Sequence, residues 1–238
     1  MKRVGLIAVA LMSALFISGC VQLQTDAGQA TSQVRGISSF TSIEFKIPGT
    51  LHIDQGSNQT LKVDAGEKVI SSIRTEVVNG VLTIDSTSLL LALQPINVYL
   101  TTNNVSSISA ITSSGAGSVV CNVPLTTNSL RLALSGTGSV NAPVDVTQLD
   151  LLLSGTGSMQ LRGNATNMHA DLSGTGSINA YQLQTNVTSI GLSGTGSAQV
   201  TVQGQLTANI SGTGSINYHG SPQVSASTTG TGRVNKTG

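Results

Sequence analysis

The sequence predicts an all-β chain wound into a parallel β-helix, and three observations carry that prediction. The first is repetition: L-S-G-T-G-S occupies residues 134–139, 153–158, 172–177 and 192–197, and I-S-G-T-G-S occupies 210–215. The second is spacing. The residues that open each phrase are Ser114, Ser135, Ser154, Ser173, Ser193, Ser211 and Thr229, so successive copies lie 21, 19, 19, 20, 18 and 18 residues apart. The third is alternation: Leu134, Leu153, Leu172, Leu192 and Ile210 precede the phrase, Leu132, Leu151, Ala170, Ile190 and Ala208 stand two places earlier, and Val140, Met159, Ile178, Ala198 and Ile216 follow it. Each repeat therefore reads as a strand of period two, a glycine corner and a second strand. One repeat cannot bury its apolar face alone. A period near 19 suits a coil that returns the chain one strand spacing, ~4.8 Å, above itself, so that equivalent residues stack. A sandwich or propeller also repeats, but hairpins gain little from keeping one turn identical five times.

Composition agrees with strands and excludes several partners. Of 238 residues, 39% are apolar and only 9% charged, with a formal net charge of +1, so the chain is globular rather than disordered. So weak a positive charge gives no basis for nucleic-acid binding by counterion release.

The first segment reads as a targeting signal. Lys2 and Arg3 precede an apolar run over residues 4–17, and Ile17-Ser18-Gly19-Cys20 closes it. This is similar to a bacterial lipoprotein signal with its lipobox, which implies removal of residues 1–19 and lipidation of Cys20. The alternative is a plain secretory signal with an incidental cysteine. Several acyl chains hold a protein at a membrane, since each buried methylene contributes ~0.8 kcal/mol. Val21 after the cysteine points to the outer membrane of a bacterial envelope. Residues 20–39, polar and without period, read as the lipidated cysteine and a flexible tether. Cys121, among valines, reads as a small buried hydrophobe, and with Cys20 lipidated no internal disulfide is available.

The remainder, 40–238, reads as one domain. Within 40–108, alternating segments at 40–47, 50–55, 59–65, 80–86 and 96–102 predict strands, and 67–77 predicts one short helix with Val69, Ile70, Ile73 and Val77 on one side. Asn79-Gly80 predicts a tight hairpin turn. Residues 109–238 hold the repeat coils. In their corners glycine supplies positive φ or close backbone approach, and the neighbouring hydroxyls are expected to bond backbone groups left open by the turn. A phosphate loop needs a lysine and a following helix, and calcium repeats need aspartates; the copies hold neither. No metal-ligand spacing and no cofactor motif occurs, so neither a metal nor a cofactor is expected.

Together, the alternating N-terminal segments and serial L-S-G-T-G-S coils make the chain, from about Val34 onward, resemble the auto-transporter adhesin head GIN domain family. That resemblance implies a right-handed parallel β-helix with the N-terminal strands packed at one end. It carries no catalytic or binding residues across. Two function classes follow. One is a non-enzymatic envelope lipoprotein, held to the membrane by its lipid, whose polar wall contacts a glycan or an envelope protein. The other is a carbohydrate-active enzyme, a polysaccharide lyase or hydrolase, on the same scaffold. The enzyme reading needs clustered carboxylates, and the candidates are Asp150, His169 and Asp171, outward on adjacent coils; a solvated patch is the plainer account. Thr188 and Gln199 are expected to face outward as well. The ends of such a column are edges that can pair, so self-association through them is a further expectation.

Overall fold

The computed structural model describes residues 27–90 and 95–238. The expected signal, Cys20 and the first part of the tether lie outside the described residues. The rest is a β-solenoid in which seven glycine corners stack.

In the repeat half, β10 (Leu125–Gly136), β11 (Ser139–Gly155), β12 (Ser158–Gly174), β13 (Ser177–Gly194) and β14 (Ser197–Gly212) each run through most of a coil and pair in parallel with the next. The chain then continues through β15 (Ser215–His219), β16 (Gln223–Gly230) and β17 (Arg233–Lys236). We call the side built from strands leading into the corners the leading wall, and the side built from strands leaving them the trailing wall. Registers are one-to-one across the corners: Leu153 lies opposite Leu172, Leu172 opposite Leu192 and Leu192 opposite Ile210. These residues are at most 4% exposed and, with Leu132, Leu151, Met159 and Ile178, fill the column. The alternation in the sequence is thus the alternation between core and solvent.

The corners explain the invariant glycines. Gly174 has φ +113°, and a Cβ there would lie 2.5 Å from the Gly155 carbonyl oxygen; at Gly176 it would lie 2.6 Å from the Gly157 oxygen. The first glycine is needed for its conformation and the second for clearance. The Gly155 carbonyl accepts two backbone N–H groups from the next coil, those of Thr175 at 3.0 Å and Gly176 at 2.9 Å. Neighbouring coils therefore satisfy most of these backbone groups, and the role expected of the hydroxyls is met only locally, where Ser113 Oγ donates to the Gly117 carbonyl at 3.0 Å and Ser193 Oγ to the Leu172 carbonyl at 3.5 Å. Thr137, Thr156, Thr175, Thr195 and Thr213 are left exposed at the tips.

The N-terminal strands close one end, in an order the sequence does not follow. They are β1 (Ala30–Arg35), β2 (Ser42–Phe45), β3 (Thr50–Gln55), β4 (Thr60–Gly66), β5 (Ile73–Val78), β6 (Val81–Ser86) and β7 (Asn97–Thr102), with β8 (Ala110–Gly115) and β9 (Ser118–Cys121) leading into the repeats. The β2–β3 coil lies between the β6–β7 coil and the β8–β9 coil, parallel to both. Beyond β6 and β7, antiparallel β5 and β4 finish the stack, and β1 pairs with β4. Two expectations are corrected here. Residues 30–35, assigned to the tether, form β1, because six residues pair with β4 down to Arg35 opposite Leu61. The helix expected over 67–77 is a single turn, α1 (Glu67–Ile70), followed by β5. Asn79 (φ 51°) and Gly80 (φ 77°) form a turn whose handedness suits a two-residue hairpin, and it holds 73–78 against β6 as a strand.

Candidate functional site

Outward residues of the two walls differ in chemistry. On the leading wall, Arg131, Asp150 and His169 are register neighbours on successive coils, and Leu152 lies opposite Asp171. His169 Nε2 is 3.2 Å from Asp171 Oδ2, and Gln148 approaches Asp150 Oδ1 at 3.5 Å. The structure thus brings the three sequence candidates together. It does so on an open surface, with side chains of His169 and Asp171 about half exposed, at 49% and 58%. A shallow trough runs past Leu152, Asp171, Gly191, Asn209 and Ser227, where Gly191 has no side chain and Asp171 Oδ1 leans to within 2.8 Å of where a Cβ would stand. Arg131 is exposed too, and Asp150 is half-buried. Among the described residues no group of three or more His, Cys, Asp or Glu could hold a metal ion.

On the trailing wall the outward positions form two uniform rows. Ser139, Ser158, Ser177, Ser197 and Ser215 make one, and Arg233 completes it; Asn141, Gln160, Asn179, Gln199, Asn217 and Asn235 make the other. Asn235 Nδ2 donates to Asn217 Oδ1 at 3.0 Å, Arg162 donates to Asn141 Oδ1 at 3.0 Å and the Tyr181 backbone N–H approaches Asn179 Oδ1 at 3.5 Å, while the side chains of Gln160 and Gln199 bond to no described residue. In the direction of the closed end the amide row passes through Val120 to His52 and Tyr99, whose rings stack at 4.9 Å and 12°. Lys62 Nζ lies 4.6 Å from the Tyr99 ring centre. A second stacked pair, Tyr181 with His219 at 4.2 Å and 11°, borders the row farther along, with Tyr181 carried on a bulge where β13 outruns β14. Tyr181 Oη also meets Thr237 Oγ1 at 3.0 Å.

The amide row has a sequence signature, S-G-T-G-S-x-[N/Q], in which the amide stands one residue beyond the apolar position that follows each phrase. The ring pairs have none, because their partners are 47 and 38 residues apart and meet only through register. Of the other residues singled out, Gln199 is outward but Thr188 is fully buried, its hydroxyl 2.7 Å from that of Thr185, which in turn donates to the Thr201 carbonyl at 2.9 Å. Cys121 is 1% exposed, and burial pushes its thiol up to about 12, which makes it inert.

Comparison with known proteins agrees with this geometry. The family model described as "Putative auto-transporter adhesin, head GIN domain" matches residues 39–222. The chain belongs to that family. Its fold is shared with a solved structure named "putative adhesin" from Bacteroides fragilis, at 21% identity and TM-score 0.81, covering 88% of this chain and 97% of the other. A "putative lipid binding protein" from Parabacteroides distasonis is similar at 21% identity and TM-score 0.71, covering 89% and 98%. A "putative adhesin" from Parabacteroides merdae follows at 20% identity and TM-score 0.69, covering 89% and 97%. No curated protein matches the chain.

Proposed function

We propose that this member of the head GIN domain family is a lipid-anchored, non-enzymatic binding protein of the bacterial envelope, held at the outer membrane through Cys20. The observation that carries the reading is the trailing wall, a repeated surface of hydroxyls and amides with side chains left unbonded. Such a surface offers donors and acceptors at a ~4.8 Å interval and suits adhesion to a repeating polymer or a partner surface. Family membership supports the envelope location. Among the described residues no helix is long and apolar enough to cross a membrane, and the anchoring proposed here uses lipid instead.

The leading wall supports one second reading, because Asp150, His169 and Asp171 do lie together. Turnover needs barrier lowering of at least ~8 kcal/mol, which an exposed flat cluster is poorly placed to supply. The test incubates the full chain with neutral and acidic polysaccharides and peptidoglycan, with and without calcium. Retention without product is expected. Product that disappears in an Asp150→Ala, Asp171→Ala double variant would move the enzyme reading to first place. For the anchor, Cys20→Ala is expected to shift the chain from the detergent phase to the aqueous phase; unchanged partitioning removes that part.

A further inference from the structure

We infer that the trailing wall is a binding track for an extended, uncharged polysaccharide of the β-1,4-linked type, with the His52–Tyr99 and Tyr181–His219 pairs as its stacking platforms; this rests on the binding reading above.

Four observations converge on it. The first is that the regularity has no folding cause. On the leading wall the outward row reads Ala133, Leu152, Asp171, Gly191, Asn209, Ser227, and the column forms equally well beneath it. Retention of an amide at six successive trailing positions is therefore not a demand of the coil. Mutual bonding does not explain it either, since of the five links in the row only Asn217–Asn235 forms a hydrogen bond.

The second is charge. Between Val120 and Asn217 both rows are uncharged, and Arg162, at the margin, is occupied with Asn141. A charge-free polar surface favours an uncharged polar partner, because an anionic polymer would lose solvation without gaining a counter-charge. Amides offer both donors and acceptors, as sugar hydroxyls require.

The third is the placement of rings. The chain has only three tyrosines and no tryptophan, and two of the three tyrosines stand in stacked pairs on this wall. Sugar rings of the β-1,4 type present flat C–H faces, which pack on aromatic faces while their equatorial hydroxyls point sideways to hydrogen-bonding groups. Within each pair the rings cover one another's inner faces and Lys62 lies over Tyr99, so the platform faces left to a sugar are the outer face of His52 and those of the Tyr181–His219 pair, beside the amides.

The fourth is length. From His52 to Asn179, beside Tyr181, the row takes four steps, or ~19 Å at the strand spacing. A straight track of that length fits an extended ribbon of several sugars and not a branched or coiled one.

The test is calorimetric titration of the full chain with cello- and chito-oligosaccharides of increasing length, alongside polygalacturonate and phosphatidylglycerol vesicles. Affinity is expected to rise with the number of sugars and then level off, and to stay constant between low and high salt. Gln160→Glu with Gln199→Glu alters one exposed and one half-buried side chain, neither bonded in the structure, so folding is preserved; at least tenfold weaker binding is expected. Tyr181→Ala is expected to give a similar loss with circular dichroism unchanged. Binding that ignores all these variants, or no binding of any neutral oligosaccharide, overturns the track. If neutral sugars fail while polygalacturonate or vesicles are bound and that binding is lost in Asp171→Ala or Arg131→Ala, the protein remains a binder through its leading wall and only this assignment falls. Product release in the same titrations instead removes the binding reading itself.

Discussion

Two residues before each corner serine, the leading wall changes class coil by coil, from Ala133 through Leu152, Asp171 and Gly191 to Asn209 and Ser227. Two residues after the residue that ends each of the last six corners, Ser139 through Ser215 and then Arg233, the trailing wall shows Asn or Gln six times running. Both walls hang on one core of stacked leucines, isoleucines and valines, and both are tied to the same glycine corners. The difference separates what the solenoid requires from what it merely permits. Inward rows and corners are fixed by packing and clearance; outward rows are free, so uniformity in one of them reports on something outside the fold.

Variants can break that separation in order of size. Gly174→Val should be the most damaging, by ~4 kcal/mol or more, from an unfavourable φ combined with a clash against the backbone of the coil below. Chemical denaturation measures it, and a loss no larger than that of Gln199→Val would refute the corner account. Leu153→Ala removes a buried stack member and should cost ~3 kcal/mol by the same measurement. Thr188→Val should cost only ~1 kcal/mol, because the hydroxyl of Thr185 keeps its bond to the Thr201 carbonyl and no donor is orphaned. Asp171→Ala and Gln199→Ala, on opposite walls, should each fall within ~0.5 kcal/mol of the parent. A larger cost at Gln199 would mean that the amide row is structural after all.

The smallest effect concerns acid and the closed end. Bonding to Arg74, which places its guanidinium 2.6 Å away, holds the Asp85 carboxyl below its ordinary value. A carboxyl depressed in the folded state contributes stability at pH above the unfolded value, ~3.9, and loses it as pH falls through the folded value. The β5–β6 hairpin should therefore exchange its amide hydrogens faster below about pH 4, and Asp85→Asn should abolish that dependence. Because both groups meet solvent, the change stays small.

Much of this was legible in the sequence where one residue type recurs at one offset. The glycines and the leucines beside them announce the stack, and 50–55 forms β3 over the residues expected. Legibility fails where tertiary pairing outranks local signals. Val69, Ile70, Ile73 and Val77 fit a helical face, yet the Asn79-Gly80 turn delivers 73–78 to β6. Thr188 looks like a surface residue by type, but it continues inward from Leu192 and Ile190, and a hydroxyl pair satisfies it there. Asp150, His169 and Asp171 could be placed as neighbours because the coil period is regular; the ring pairs could not, since one depends on the out-of-order N-terminal coils and the other on a bulge.

That out-of-order stacking has a consequence for how long such a molecule can be. With the β2–β3 coil clamped between two later ones, the closed end is a fixed unit that tolerates no added or missing turn. The repeats carry no such commitment. Residues 156–174 begin and end at equivalent points of successive corners, so their excision would join Gly155 to Thr175 with every ladder still in register. The track would shorten by one ~4.8 Å step, and the leading wall would lose His169 and Asp171 with the same coil. Reach is therefore adjustable by counting coils, from an origin that the N-terminal strands keep fixed.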